Sequence, residues 1–144
     1  MRRWLAVAVA CAGLALMLPL MARAKGGNAQ RGRYLVRGVA MCNDCHTPRD
    51  ERGEPDLRRE LHGAALPFEP AVEMPWAPAA PSIADLPKGW GEAALVKLLM
   101  TGRGLEGKPL NPPMPQFRMS REDAESVVAY LKSLSPPEQV TDRK

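Results

Sequence analysis

The five residues Cys42-Asn43-Asp44-Cys45-His46 constrain this chain more than any other stretch, because two thiols and an adjoining imidazole at this spacing have few chemistries open to them. On a helical turn Cys42 and Cys45 stand at i and i+3 on one face. His46 then projects roughly 100° further round the helix. Zinc would need more ligands than the motif supplies, yet the other cysteine, Cys11, lies in the apolar N-terminus and the other histidine is His62. A bare C-x-x-C also serves redox dithiols. With the histidine it is the attachment signature of c-type haem, in which both thiols add to vinyl groups of one macrocycle and the imidazole is placed to ligate the iron.

The N-terminus matches the location that this chemistry requires. Arg2 and Arg3 precede an apolar stretch over 5–18, and Ala22-Arg23-Ala24 has the small-x-small pattern of a cleavage site. The expectation is a signal peptide over 1–24, cleaved after Ala24, and a periplasmic domain over 25–144. Residues 4–22 are nearly long enough to stay as a membrane anchor, but Pro19 and the short apolar core speak against it. Membrane association would then come through an uncleaved leader or a partner. The formal charge of +4 includes Arg2, Arg3 and Arg23, so 25–144 carries only +1. That balance gives no case for nucleic-acid binding. Arg31, Arg33 and Arg37 read as an ordinary solvated helix face.

The aromatic residues of 25–144 are few, namely Tyr34, Phe68, Trp76, Trp90, Phe117 and Tyr130. A core so thin gains from a large flat macrocycle whose apolar surface the helices can cover. A first helix is expected over 28–40, with Asn28 as N-cap and Tyr34, Leu35 and Val36 among its apolar positions. Gly32 costs that helix about 1 kcal/mol, which a close helix crossing would explain. Over 47–89 prolines recur at 67, 70, 75, 78, 81 and 87 and predict a long ordered loop without long helix or paired strand. Phe68, Met74 and Trp76 are candidate anchors where this loop wraps the haem. Residues 92–100 read as a helix stopped by Gly102, with Leu95, Leu98 and Leu99 as its buried stripe. Prolines at 109, 112, 113 and 115 predict an extended segment carrying Met114. The last helix opens on Ser120 and Asp123 as a capping box, continues through Ala124, Val127, Val128, Leu131 and Leu134, and ends before Pro136 and Pro137. The fold class expected is all-α.

What fills the second axial position of the iron decides between electron transfer and ligand chemistry. Met41 adjoins the motif and cannot reach the far face; Met100 reads as core filler, and Met74 lies in the proline-rich loop. Met114 is the preferred ligand because its prolines leave little conformational freedom to lose on ligation. Met119 is its main rival, followed by His62. A filled position makes the protein a one-electron carrier. A vacant or displaceable one would make it a haem enzyme or small-ligand sensor, with His62 as the available distal acid-base group.

The order of C-x-x-C-H, Gly89-Trp90 before a middle helix, Pro112-Pro113-Met114-Pro115 and a final helix with Ala129-Tyr130-Leu131 resembles the class I cytochrome c family from about 32 to 134. The chain is most similar to single-haem cytochromes and cytochrome subunits that serve bacterial periplasmic dehydrogenases. The resemblance implies an all-α cytochrome c-type fold wrapped around one covalent haem c, with thioethers at Cys42 and Cys45 and axial ligation by His46 and Met114. It implies perpendicular first and last helices meeting at Gly32 and Tyr130. It further implies a non-enzymatic carrier, with no metal beyond the haem iron, between a dehydrogenase donor and a cytochrome or oxidase acceptor towards the respiratory chain. The long loop over 48–89 departs from the family pattern.

Overall fold

The first helix begins where Asn28 caps it, its side-chain oxygen accepting the Arg31 N–H at 3.1 Å. The computed structural model describes residues 27–134; the expected leader, its cleavage point after Ala24, and Pro136 and Pro137 lie outside them. Helix α1 spans Ala29–Tyr34 and runs directly into a π-helical turn, Leu35–Val39, closed by the Ala40 N–H on the Leu35 carbonyl at 2.7 Å. This wider turn seats Leu35 and Val36 in the core. Tyr34, expected among the apolar positions, instead stands exposed beneath the Arg31 guanidinium, 5.4 Å from its ring centroid. Met41 then takes a left-handed conformation and turns the chain into helix α2, Cys42–His46.

Helix α3, Glu92–Thr101, ends at Gly102, whose left-handed φ of 69° lets its N–H reach the Leu98 carbonyl at 2.7 Å. Helix α4, Arg121–Ser133, starts at Ser120, whose hydroxyl accepts the Asp123 N–H at 3.1 Å. Asp123 uses its carboxylate elsewhere: it accepts from Arg31 Nε at 3.1 Å and ties α1 to α4. Val127, Val128 and Leu131 of α4 join Leu95, Leu98 and Leu99 of α3 in one buried cluster, each such side chain contributing about 1.5–3 kcal/mol.

The α1–α4 contact is the most extensive between elements. Gly32 makes it possible, because a Cβ built there would lie 1.9 Å from the Ser126 carbonyl oxygen and 2.8 Å from Tyr130 Cβ. Gly27 sits equally close to α4, 1.9 Å by the same construction from the Glu125 carbonyl oxygen. The close crossing expected from the glycine is therefore present, and Gly32 and Tyr130 meet in it. The Asn28 N–H, donating to Ser126 Oγ at 3.1 Å, fastens its outer end.

The segment after α2 is irregular, apart from a 3₁₀ turn over Leu57–Arg59 and two short strands, β1 Ala64–Ala65 and β2 Ala79–Ala80. The strands pair antiparallel, Ala64 opposite Ala80 and Ala65 opposite Ala79. Paired strand was not expected here. It fits because the prolines at 67 and 78 fall just outside the pairs, and Pro78 uses its carbonyl, accepting from Leu66 N–H at 2.9 Å. Phe68 and Met74, expected as anchors, stand partly in solvent; Trp76 is half-buried. Residues 112–114 form a turn in place of the extended rail expected. Proline fixes φ near −65°, which suits a turn as well as an extended chain; here the Pro112–Pro113 peptide bond is cis, and the Pro112 carbonyl accepts the Ala77 N–H at 2.8 Å. Among the described residues no helix is long and apolar enough to cross a membrane.

Candidate functional site

His46 closes α2 with its ring buried and Nδ1 2.8 Å from the Pro81 carbonyl oxygen. A carbonyl can only accept, so Nδ1 carries the proton and Nε2 keeps its lone pair. Burial pulls the imidazole below its ordinary pKa, against the raising effect of that hydrogen bond, and favours the neutral, ligating form. The backbone supports the same geometry: the Gly63 N–H donates to the His46 carbonyl at 2.7 Å, and the Leu61 N–H to Thr47 Oγ1 at 3.0 Å.

Cys42, Cys45 and His46 line one cavity of about 690 Å³, and Met114 lines it too. Its size falls within the roughly 300–1,000 Å³ common to cofactor sites. The remaining walls are largely apolar, with Ile83 and Trp90 beside the core leucines 95, 98 and 99 and Phe117, Val127 and Leu131. Among the described residues neither motif cysteine is paired in a disulfide. Burial pushes Cys42 up to about 11, the reverse of the lowered pKa that activates a redox dithiol.

The other expected ligands divide. Met41 borders the cavity from the motif end, whereas Met74, Met100, Met119 and His62 are not among its lining residues. Met119 packs against the core and its N–H donates to the Leu99 carbonyl at 3.0 Å. His62, the remaining rival ligand and the distal acid-base candidate, is turned away from the solvent at its ring nitrogens. Both ring nitrogens are buried without a partner among the described residues, because the chain on either side is folded back onto Thr47 and His46.

Sequence reasoning missed two features. One is the Pro81 carbonyl, a backbone atom that no residue type announces. The other is Glu60, 7 % exposed, which links the π-helical turn after α1, α2, the irregular segment and α4. Its Oε1 accepts from Arg37 Nε at 2.8 Å, Asn43 Nδ2 at 3.0 Å and Tyr130 Oη at 3.0 Å, while Oε2 accepts from Arg37 Nη2. Burial alone would raise this carboxyl, but the hydrogen bonds together outweigh it and hold the group below the ordinary glutamate range. Tyr130 is pushed up in turn, first by its own burial and then by the charge of Glu60 and the hydrogen bond to it. The sole sequence signal was Asn43, a polar residue inside the motif.

Two thiols, a neutral imidazole of fixed tautomer and a thioether around one apolar cavity form a donor set that fits a covalently attached haem. Comparison with known proteins agrees. The cytochrome c family model matches residues 29–135. The cytochrome subunit of fructose dehydrogenase from Gluconobacter japonicus is 30% identical over 113 residues, covering 72% of this chain and 21% of that protein. A diheme c-type cytochrome from Cereibacter sphaeroides is 29% identical over 108 residues, covering 72% and 34%. A nicotinate dehydrogenase subunit from Pseudomonas putida is 29% identical over 109 residues, covering 72% and 9%. The chain thus spans about a third or less of each of these relatives. On the family match, carried by the motif and helices just described, this chain belongs to the cytochrome c family of electron-transfer proteins, whose cofactor is covalently bound haem c.

Proposed function

We propose that residues 25–144 form an exported, single-haem, one-electron carrier, attached through Cys42 and Cys45 and ligated axially by His46 and Met114. It takes electrons from a periplasmic dehydrogenase and passes them towards the respiratory chain. The observation that carries this reading is the presence of all four side chains on the wall of one apolar cavity. The chain holds C-x-x-C-H once, which supports one haem. Two of the relatives are named as dehydrogenase subunits, which supports a dehydrogenase as donor. The export reading rests on Arg2, Arg3, the apolar 5–18 stretch and Ala22-Arg23-Ala24.

When bound, the haem supplies a one-electron Fe(III)/Fe(II) couple. The chain's own residues set its conditions. Pro81 holds His46 in the tautomer that presents Nε2, and the neutral, soft sulfur of Met114 favours the reduced metal. Trp90, Phe117 and the core leucines give the cavity a largely apolar wall, and an apolar surround favours the lower charge further.

Acid-acetone extraction of the holoprotein followed by pyridine haemochrome analysis tests the attachment. All haem should stay with the polypeptide, at one per chain. The Cys42→Ala/Cys45→Ala double variant should release all of it. Free extraction of haem from the wild type would contradict the assignment of both thioethers.

A further inference from the structure

The loop between β1 and β2 forms a strap over residues 66–78. Its neck is closed by the Leu66 N–H on the Pro78 carbonyl, and Phe68 and Trp76 meet edge to face across it, ring centroids 5.8 Å apart at 73°. The Ala77 N–H on the Pro112 carbonyl ties it to the Met114 turn, and Leu66 and Ala77 both line the cavity. The strap is thus pinned to the cavity rim rather than free in solvent.

Its outer surface is apolar and acidic together. Phe68 is 47 %, Val72 68 % and Met74 41 % exposed, Val72 the most exposed large apolar side chain among the described residues. Glu69 and Glu73 are interleaved with them, exposed and outside the ion pairs found among the described residues. From residue 60 to residue 87 the sequence contains no lysine or arginine. An apolar patch held out in water by a pinned loop marks an interaction surface, and its glutamates select the sign of what binds there.

We propose that this strap is the docking surface for the protein that exchanges electrons with this domain, and that the partner presents an apolar spot rimmed by lysine or arginine. The proposal rests on the carrier reading and adds the partner's chemistry to it. Phe68, Val72 and Met74 supply the contact, Glu69 and Glu73 steer the approach, and the neck brings the partner against residues that wall the cofactor cavity. Redox encounters need little area, below about 1,200 Å², which a strap of this size can provide. A second copy docking strap to strap would set glutamates against glutamates, and an anionic lipid surface would be repelled likewise.

The test uses the reduced holoprotein and a lysine-rich blue-copper protein as oxidant, whose absorbance is distinct from haem, in stopped flow across a range of ionic strength. The wild-type second-order rate constant should fall as salt rises. Glu69→Gln/Glu73→Gln should lower it about tenfold at low salt and flatten the salt dependence. Val72→Ser should lower it about threefold at every salt concentration, with the slope unchanged. Oxidation by a small uncharged one-electron oxidant of higher potential than the haem should proceed at one rate in all three proteins. Normal rates with that small oxidant and no loss towards the blue-copper protein in either variant would overturn the docking site alone. A wild type that fails with both oxidants would overturn the carrier reading itself. A dimer in sedimentation that Val72→Ser dissociates would assign the patch to a second copy and overturn the proposal.

Discussion

Gly32→Ala is expected to lower the stability of the holoprotein by about 3 kcal/mol, measured as a shift in denaturant midpoint. A Cβ at residue 32 would lie 1.9 Å from the Ser126 carbonyl oxygen and 2.6 Å from its carbonyl carbon. Both are backbone atoms of α4, so no rotamer change relieves the overlap and the two helices must part along their main contact. Alanine is a better helix former by about 1 kcal/mol, which offsets only part of that cost. Gly38→Ala provides the contrast. A Cβ there meets only the Tyr34 ring, at 3.7 Å or more, which is ordinary van der Waals contact. That variant should be neutral or more stable by about 0.5 kcal/mol. Equal destabilisation by the two variants would refute the close crossing as the reason for Gly32.

Glu60→Ala should cost about 3 kcal/mol, because removing one partner of a buried ion pair strands the others. Arg37 would lose its bidentate carboxylate, and Asn43 and Tyr130 would lose their common acceptor. Glu60→Gln keeps an acceptor for Asn43 and Tyr130 but no countercharge for Arg37, so it should fall between alanine and wild type. The carboxyl also gives the pH dependence a sign. Its folded-state pKa lies below the unfolded one, since hydrogen bonds from Arg37, Asn43 and Tyr130 outweigh the opposing effect of burial. The stabilisation is therefore complete above the unfolded value of about 4.3 and is lost as pH falls through the folded value. Denaturant midpoints measured from neutral to acid pH should fall less steeply below that range in Glu60→Gln than in wild type. Superimposable profiles would show that Glu60 does not hold these elements together.

Much of this fold was legible because its signals are local. Asn28, Ser120 and Gly102 announce helix ends through their own side chain or its absence, and each occupies the position expected. The spacing of Ala124, Val127, Val128 and Leu131 likewise marked the buried face of α4. Signals that depend on a distant partner were not legible. Asp123 reads as a capping-box residue until Arg31 is brought beside it from α1. Tyr34 reads as core until its ring is placed under Arg31 and in solvent. Nothing local marks Glu60 as buried, because its three donors come from residues 37, 43 and 130. In the candidate site, the spacing of Cys42, Cys45 and His46 and the prolines beside Met114 nominated residues that line one cavity, although the extended rail expected around Met114 is a turn. The Pro81 carbonyl was not, since any residue could supply it.

A closed iron centre between His46 and Met114 underlies everything proposed for this domain, and absorbance spectroscopy of the oxidised and reduced holoprotein tests it most directly. A sulfur-to-iron charge-transfer band is expected in the oxidised wild type, with loss of that band in Met114→Ala and carbon monoxide binding at neutral pH only in the reduced variant. A band that survives in Met114→Ala would assign the ligand elsewhere, with Met119 next to replace. A wild type without the band that binds carbon monoxide tightly would contradict the closed centre, and with it the reading of this domain as a carrier.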